Sequence, residues 1–174
     1  DPDQFWTSGQ WMTEKPGGSD VSQSETIAIK DGDSYKLHGT KWFTSATTSQ
    51  MTFTLARITD QDGQYVEGNK GLSLFFVKLR DDAGKLQGIQ VRRLKDKLGT
   101  KALPTAELDF VGAQATLVGE EGPGIKNISH LFNVTRIYNA CTTVGSFKRL
   151  LDLAKDYSER RIAFKKKLID HPLH

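Results

Sequence analysis

The stretch Trp11-Met12-Thr13-Glu14-Lys15-Pro16-Gly17-Gly18-Ser19-Asp20, answered further along by Gly39-Thr40-Lys41-Trp42-Phe43-Thr44-Ser45, decides how this chain is read. The first segment runs from an apolar, strand-like entry into a Pro-Gly-Gly turn that ends in two oxygen-bearing side chains. Proline fixes one dihedral and the paired glycines permit positive φ, so backbone N–H groups can converge on a ligand without interference from a Cβ. The second segment alternates aromatic and hydroxyl residues, as a strand does when one face must both stack and hydrogen-bond. A flat, polar-edged ring carrying a pyrophosphate needs both kinds of surface.

Outward from these segments, the chain from about Phe5 to Val118 reads as strands separated by turns. Glu25 to Lys30 and Ser34 to His38 flank Asp31-Gly32-Asp33, a hairpin signal. Lys41 to Ala46, Met51 to Ile58, Gly71 to Leu79, Ile89 to Leu94 and Ala106 to Phe110 follow, rich in β-branched or aromatic residues. Residues 59–70 and 80–88 are polar and contain glycine, so they read as surface loops. About six to eight short strands with no helix between them predict a mainly β fold, closed as an antiparallel barrel or packed as a sandwich.

After Gly119-Glu120-Glu121-Gly122-Pro123-Gly124 the period changes. Ile125, Ile128, Leu131 and Phe132 begin an apolar face that Leu150, Leu151, Leu153, Ala154 and Tyr157 continue. One long α-helix of about 30 residues, or two stacked ones, accounts for the pattern. We therefore expect residues 1–123 to form a barrel domain and residues 124–174 to begin a helical one. The apolar face needs more partners than the chain supplies, so helices outside it, or another subunit, are expected to cover it. An opening at Asp1 rather than methionine suits a piece of something larger.

Composition narrows the function classes. A net charge of +3 over 174 residues argues neither for nor against nucleic acid. The single cysteine, Cys141, excludes an internal disulfide or a multi-thiolate metal site and suits a reducing compartment. No apolar run approaches the roughly 20 residues of a membrane span, and no signal pattern opens the chain. These features predict a soluble, intracellular protein, cytoplasmic, or mitochondrial or peroxisomal in a eukaryote. No G-x-G-x-x-G follows a strand, and neither G-x-x-x-x-G-K-[ST] nor H-E-x-x-H occurs. His38, His130, His171 and His174 are scattered without metal-ligand spacing.

With those motifs excluded, the two opening segments resemble the middle β-domain of the acyl-CoA dehydrogenase flavoproteins. The resemblance rests on Met12-Thr13-Glu14, Gly17-Gly18-Ser19-Asp20-Val21 and Gly39-x-Lys41-Trp42-Phe43-x-Ser45. It continues through Lys95-Asp96-Lys97-Leu98-Gly99, Glu107-Leu108-Asp109-Phe110, Gly119-x-x-Gly122-x-Gly124-Ile125, Thr135-Arg136, Gly145 and Tyr157-x-x-x-Arg161-x-x-Phe164. Lys15 ahead of Pro16, the Gly17-Gly18 pair and the Lys95 to Gly99 run look most like the AidB-like, alkylation-response branch.

The resemblance implies an FAD site. Gln10, Trp11, Met12, Thr13, Gly18 and Ser19 would lie along the flavin and its pyrophosphate, with Ser19 also facing acyl-CoA. Phe43, Thr44 and Ser45 would cover the ring, with Phe43 where many members have tryptophan and Ser45 where threonine is commoner. Arg136 matches an arginine near the substrate, and Arg161 one that reaches the FAD of a neighbouring subunit. The implied chemistry is α,β-dehydrogenation of an acyl-CoA thioester by a glutamate base, with hydride passing to the flavin. Thr135 occupies one position that the base takes in some members, so no catalytic residue is expected within this chain. The isolated chain should then be inactive. Expected partners are acyl-CoA, further subunits of a tetramer and an electron-transferring flavoprotein. A DNA-binding role is the alternative, pointed to by the branch and by Arg92-Arg93-Leu94-Lys95, Arg160-Arg161 and Lys165-Lys166-Lys167.

Overall fold

In a computed structural model, which describes residues 5–173, the hairpin signal at Gly32-Asp33 joins strands β2 (Ile27–Asp31) and β3 (Ser34–Ser45) in antiparallel register. The outermost residues of the two expected domains, and with them His174, lie outside the described residues. Two runs read separately in the sequence are one strand here: β3 passes through Gly39, whose φ of 150° and closeness to Thr26 leave no room for a side chain. A Cβ there would stand 2.7 Å from the Thr26 Cα.

Around this hairpin the sheet closes. Strands β4 (Met51–Thr59), β5 (Leu72–Lys78) and β7 (Thr105–Leu117) complete the ring β4-β2-β3-β7-β5, which returns to β4. Strand β1 (Ser8–Trp11) extends the edge of β4, and β6 (Ile89–Leu94) pairs β7. The expected antiparallel barrel is corrected to a mixed one, because β1 and β2 both run parallel to β4. The cause is connectivity. After the hairpin the chain reverses once more and lays β4 on the far side of β2, and two reversals restore the direction. Alternating texture specifies strands but not which strand is skipped.

Inside the ring, large rings meet small residues. Trp11, Tyr35, Phe75 and Phe110 are buried against Ala28, Ala56, Ala113 and Ala115. Trp11 stacks on Phe110 at 6.2 Å, and Tyr35 meets Phe75 edge-on at 5.2 Å.

The described residues up to 128 form one compact unit and those from 129 on another. A single helix, α1 (Gly124–Arg160), crosses the division, so the one-helix alternative holds and the stacked pair does not. Gly145 lies within it without a break. In the second unit α1 is followed by a small hairpin, β8 (Ile162–Ala163) with β9 (Lys166–Lys167). Ile137, Tyr138, Val144, Phe147, Leu150 and Leu151 are exposed on the helix. Among the described residues, no helix is long and apolar enough to cross a membrane.

Candidate functional site

The two motif segments lie side by side, joined at three levels. The Trp42 N–H donates to the Thr13 carbonyl at 2.9 Å, and the Trp11 indole N–H donates to the Ser45 carbonyl at 2.8 Å. Beneath them Lys41 Nζ meets Glu14 Oε1 at 2.6 Å, with both side chains almost wholly out of solvent. Lys41 also donates to the Leu55 carbonyl at 2.9 Å. Glu14 accepts from the Glu25 N–H and the Thr26 hydroxyl, each at 2.6 Å. Burial pushes the Glu14 carboxyl up, but Lys41, Thr26 and Glu25 outweigh it and hold the group below its ordinary value.

A bulge in β3 sets which side chains face out. Lys41 pairs Leu108 and Thr44 pairs Ala106, so β3 spends one residue more than β7 over this span. Both Lys41 and Thr44 therefore point inward, where Thr44 donates to the Ala106 carbonyl at 2.8 Å. Trp42 is left half-buried and Phe43 44% exposed. Lys95 sits over Trp42 with Nζ 3.7 Å from the ring centroid, and 5.3 Å from that of Phe43. Its ammonium is fixed by Glu107 Oε1 at 2.6 Å, which Arg93 also meets at 2.8 Å. Hydrogen bonds from Arg93 and Lys95 lower the Glu107 carboxyl to about 2.

The Thr13-to-Ser19 turn is built by reciprocal bonds between Glu14 and Gly17, each N–H giving to the other's carbonyl at 3.1 Å. The Gly17 N–H is thus spent inside the turn and does not join the converging amides expected from the paired glycines. A Cβ on Gly18 would lie 2.6 Å from Thr13 Oγ1, so this glycine lets the turn close over the Thr13 hydroxyl. Ser19 is exposed.

The structure brings Gln10, Met12, Thr13, Gly18, Phe43 and Ser45 to one region, through the bonded strands that carry them. Trp11 and Thr44 belong to the same segments, but their side chains are in the core. Among the described residues, Gln10 Oε1 is buried without a hydrogen-bond partner. Arg136 and Arg161 lie in the second unit, exposed, with Arg136 donating to Asn133 Oδ1 at 3.3 Å. The sequence assigns Glu14 and Lys41 no role of their own. Both stand in the motif segments, but only depth in the barrel shows that their side chains meet.

Residues 9–113 match the acyl-CoA dehydrogenase middle domain, and residues 122–174 the acyl-CoA dehydrogenase C-terminal domain. The chain belongs to the acyl-CoA dehydrogenase family. It is 53% identical to acyl-CoA dehydrogenase family member 11 of Caenorhabditis elegans over 176 residues, covering 100% of this chain and 28% of that protein. AidB of Escherichia coli is 37% identical over 167 residues, covering 95% of this chain and 29% of AidB. The crystal structure of Caenorhabditis elegans ACDH-11 in complex with C11-CoA superposes with a TM-score of 0.94 at 52% identity. That match covers 99% of this chain and 30% of the other. The chain thus spans less than a third of these relatives, and it matches the worm acyl-CoA dehydrogenase more closely than AidB.

Proposed function

We propose that this chain supplies the barrel domain and first long helix of an FAD-dependent acyl-CoA dehydrogenase, with the domains meeting near residues 123 and 124. One observation carries the reading: the Thr13 turn and the Phe43-to-Ser45 edge, far apart in sequence, are locked together as one surface by the buried Glu14–Lys41 pair. Members of the family use FAD, and the residues present fit one. Gln10 offers a buried acceptor without a partner among the described residues, Gly18 leaves the Thr13 hydroxyl without a Cβ over it, and Phe43 presents an exposed ring.

In this reading Gln10, Met12, Thr13, Gly18 and Ser19 hold the ring and its phosphates, with Trp11 and Thr44 contributing backbone. Phe43 covers the ring and Ser45 bonds its edge. Arg161 recognises the pyrophosphate of a neighbouring subunit's cofactor, as an arginine fork suits. Arg136 and Ser19 serve an acyl-CoA substrate, the class seen bound in the worm relative. Bound FAD supplies the two-electron acceptor. The chain's own part is to orient the cofactor and exclude water, while the carboxylate base comes from outside these residues, since Thr135 precedes Arg136. The exposed apolar side chains of α1 suit helices of the rest of the protein or of a tetramer. An electron-transferring flavoprotein would reoxidise the cofactor.

The greater identity to the worm acyl-CoA dehydrogenase favours dehydrogenation over an AidB-like role at DNA. The Arg92 to Lys95 run also meets its charge locally, at Asp109 and Glu107. The test is the visible spectrum of the full-length protein titrated anaerobically with a C11 acyl-CoA. A flavin spectrum that bleaches on addition supports the proposal; a colourless protein, or one that no acyl-CoA bleaches, refutes it.

A further inference from the structure

We propose that Lys97 is a positioning residue which, acting through Thr105, turns the Ser45 hydroxyl outward as a hydrogen-bond donor to the bound flavin; this rests on the flavin reading above. Lys97 Nζ donates to Thr105 Oγ1 at 2.9 Å, to the Leu103 carbonyl at 2.8 Å and to Thr100 Oγ1 at 3.4 Å. An ammonium has three protons and no lone pair, so three acceptors use it fully, and toward Thr105 it can only give. Thr105 is 1% exposed, and its oxygen stands 2.9 Å from Ser45 Oγ.

The direction of the Thr105–Ser45 bond follows from what each hydroxyl can still do. The Thr105 proton has two acceptors in reach: Ser45 Oγ at 2.9 Å and the Leu103 carbonyl at 3.5 Å. The first is at full hydrogen-bond strength and the second at the limit. The Leu103 carbonyl keeps a lone pair beside Lys97, so it is distance that decides between the two acceptors. Thr105 therefore gives its proton to Ser45, and its polarisation by a cation makes it the better donor. Ser45 then accepts from Thr105, and its own proton turns away from the barrel. Its backbone is held meanwhile by the Trp11 indole on the Ser45 carbonyl. The chain Lys97, Thr105, Ser45 thus ends in a donor of fixed sense beside Phe43, on the surface assigned to the flavin.

A plain structural role for Lys97, stapling the loop through the Leu103 carbonyl, is separated by working at Thr105. Thr105→Val removes the relay but leaves that staple, whereas Thr105→Ser keeps the hydroxyl. In the full-length protein, FAD affinity is measured by fluorescence titration and the bound flavin by its visible bands. Thr105→Val is expected to weaken FAD binding about fivefold, the loss of roughly one hydrogen bond, and to displace the flavin bands. Thr105→Ser should match the parent. Lys97→Met should reproduce the Thr105→Val change, and the double variant should go no more than about twofold beyond either single. Unchanged affinity and bands in Thr105→Val, with the parent binding FAD, overturn the relay. So does a multiplicative loss in the double variant. A parent that binds no FAD overturns the flavin reading itself.

Discussion

Replacing Lys41 by methionine tests what joins the two motif segments. At 2.6 Å, the Lys41–Glu14 attraction is about 6 kcal/mol at an effective dielectric of about 20. Desolvation of the ammonium offsets part of it. The variant also leaves a carboxylate buried, though the Thr26 hydroxyl and Glu25 amide still serve it. The net loss is then about 3 kcal/mol, the lower end of what breaking a buried pair costs. For a chain of this size that lowers Tm by about 6–12 °C. Thermal melting of the 174-residue chain by circular dichroism reads it. The double variant Glu14→Gln/Lys41→Met removes both charges and keeps an acceptor for Thr26 and Glu25, so it should regain at least half the loss. The sign with pH is also fixed. Glu14 titrates below its ordinary 4.5 when folded, so its contribution is complete above that value and is lost as pH falls through the folded one. In Lys41→Met the stranded carboxylate takes up a proton more readily, so the gap to the parent narrows in acid. A single variant melting within about 2 °C of the parent, or a double whose loss equals the sum of the singles, would refute the reasoning.

Glu107 should titrate near 2 by carbon-detected NMR, against an ordinary 4.5, and move up toward the latter in Arg93→Ala. Its stabilising contribution is therefore present above 4.5 and fades as pH falls toward 2. Gly18→Ala places a Cβ 2.6 Å from Thr13 Oγ1, so FAD affinity of the full-length protein should drop by about tenfold or more, roughly 1.4 kcal/mol, as read by fluorescence titration. Arg57→Met removes the cation that donates to the carbonyls of Ser22, Ser24, Val66 and Gly68, and limited proteolysis should then cut within residues 60–70. The 174-residue chain alone should turn over no acyl-CoA with FAD and an acceptor dye; measurable turnover would place the base inside it.

Local chemistry was legible and pairing was not. Asp31-Gly32-Asp33 announces its hairpin because a tight turn demands those residues, and β6 runs from Ile89 to Leu94 as its β-branched texture suggests. The motif turn and strand were found where glycines and aromatics leave a signature. The parallel lie of β4 against β2 was hidden, since no residue of either strand records its neighbour. The β3 bulge was hidden for a related reason: Lys41 and Thr44, three apart, break the alternation that would have sent one of them outward. A lysine in a strand reads as solvated, so its burial on Glu14 had no signal beyond membership of the motif. The length of α1 is understated by its pattern, about 30 residues against the 37 of Gly124–Arg160, because the apolar face marks the span that needs partners and the polar residues at its end carry no period.

The Glu14–Lys41 pair also constrains how this protein can change over generations. Neither partner can be lost alone without stranding the other's charge in the barrel, so a replacement has to arrive on both sides of the motif together or be rescued quickly. The turn and the strand would then be inherited as one unit, although 27 residues separate their charged members along the chain.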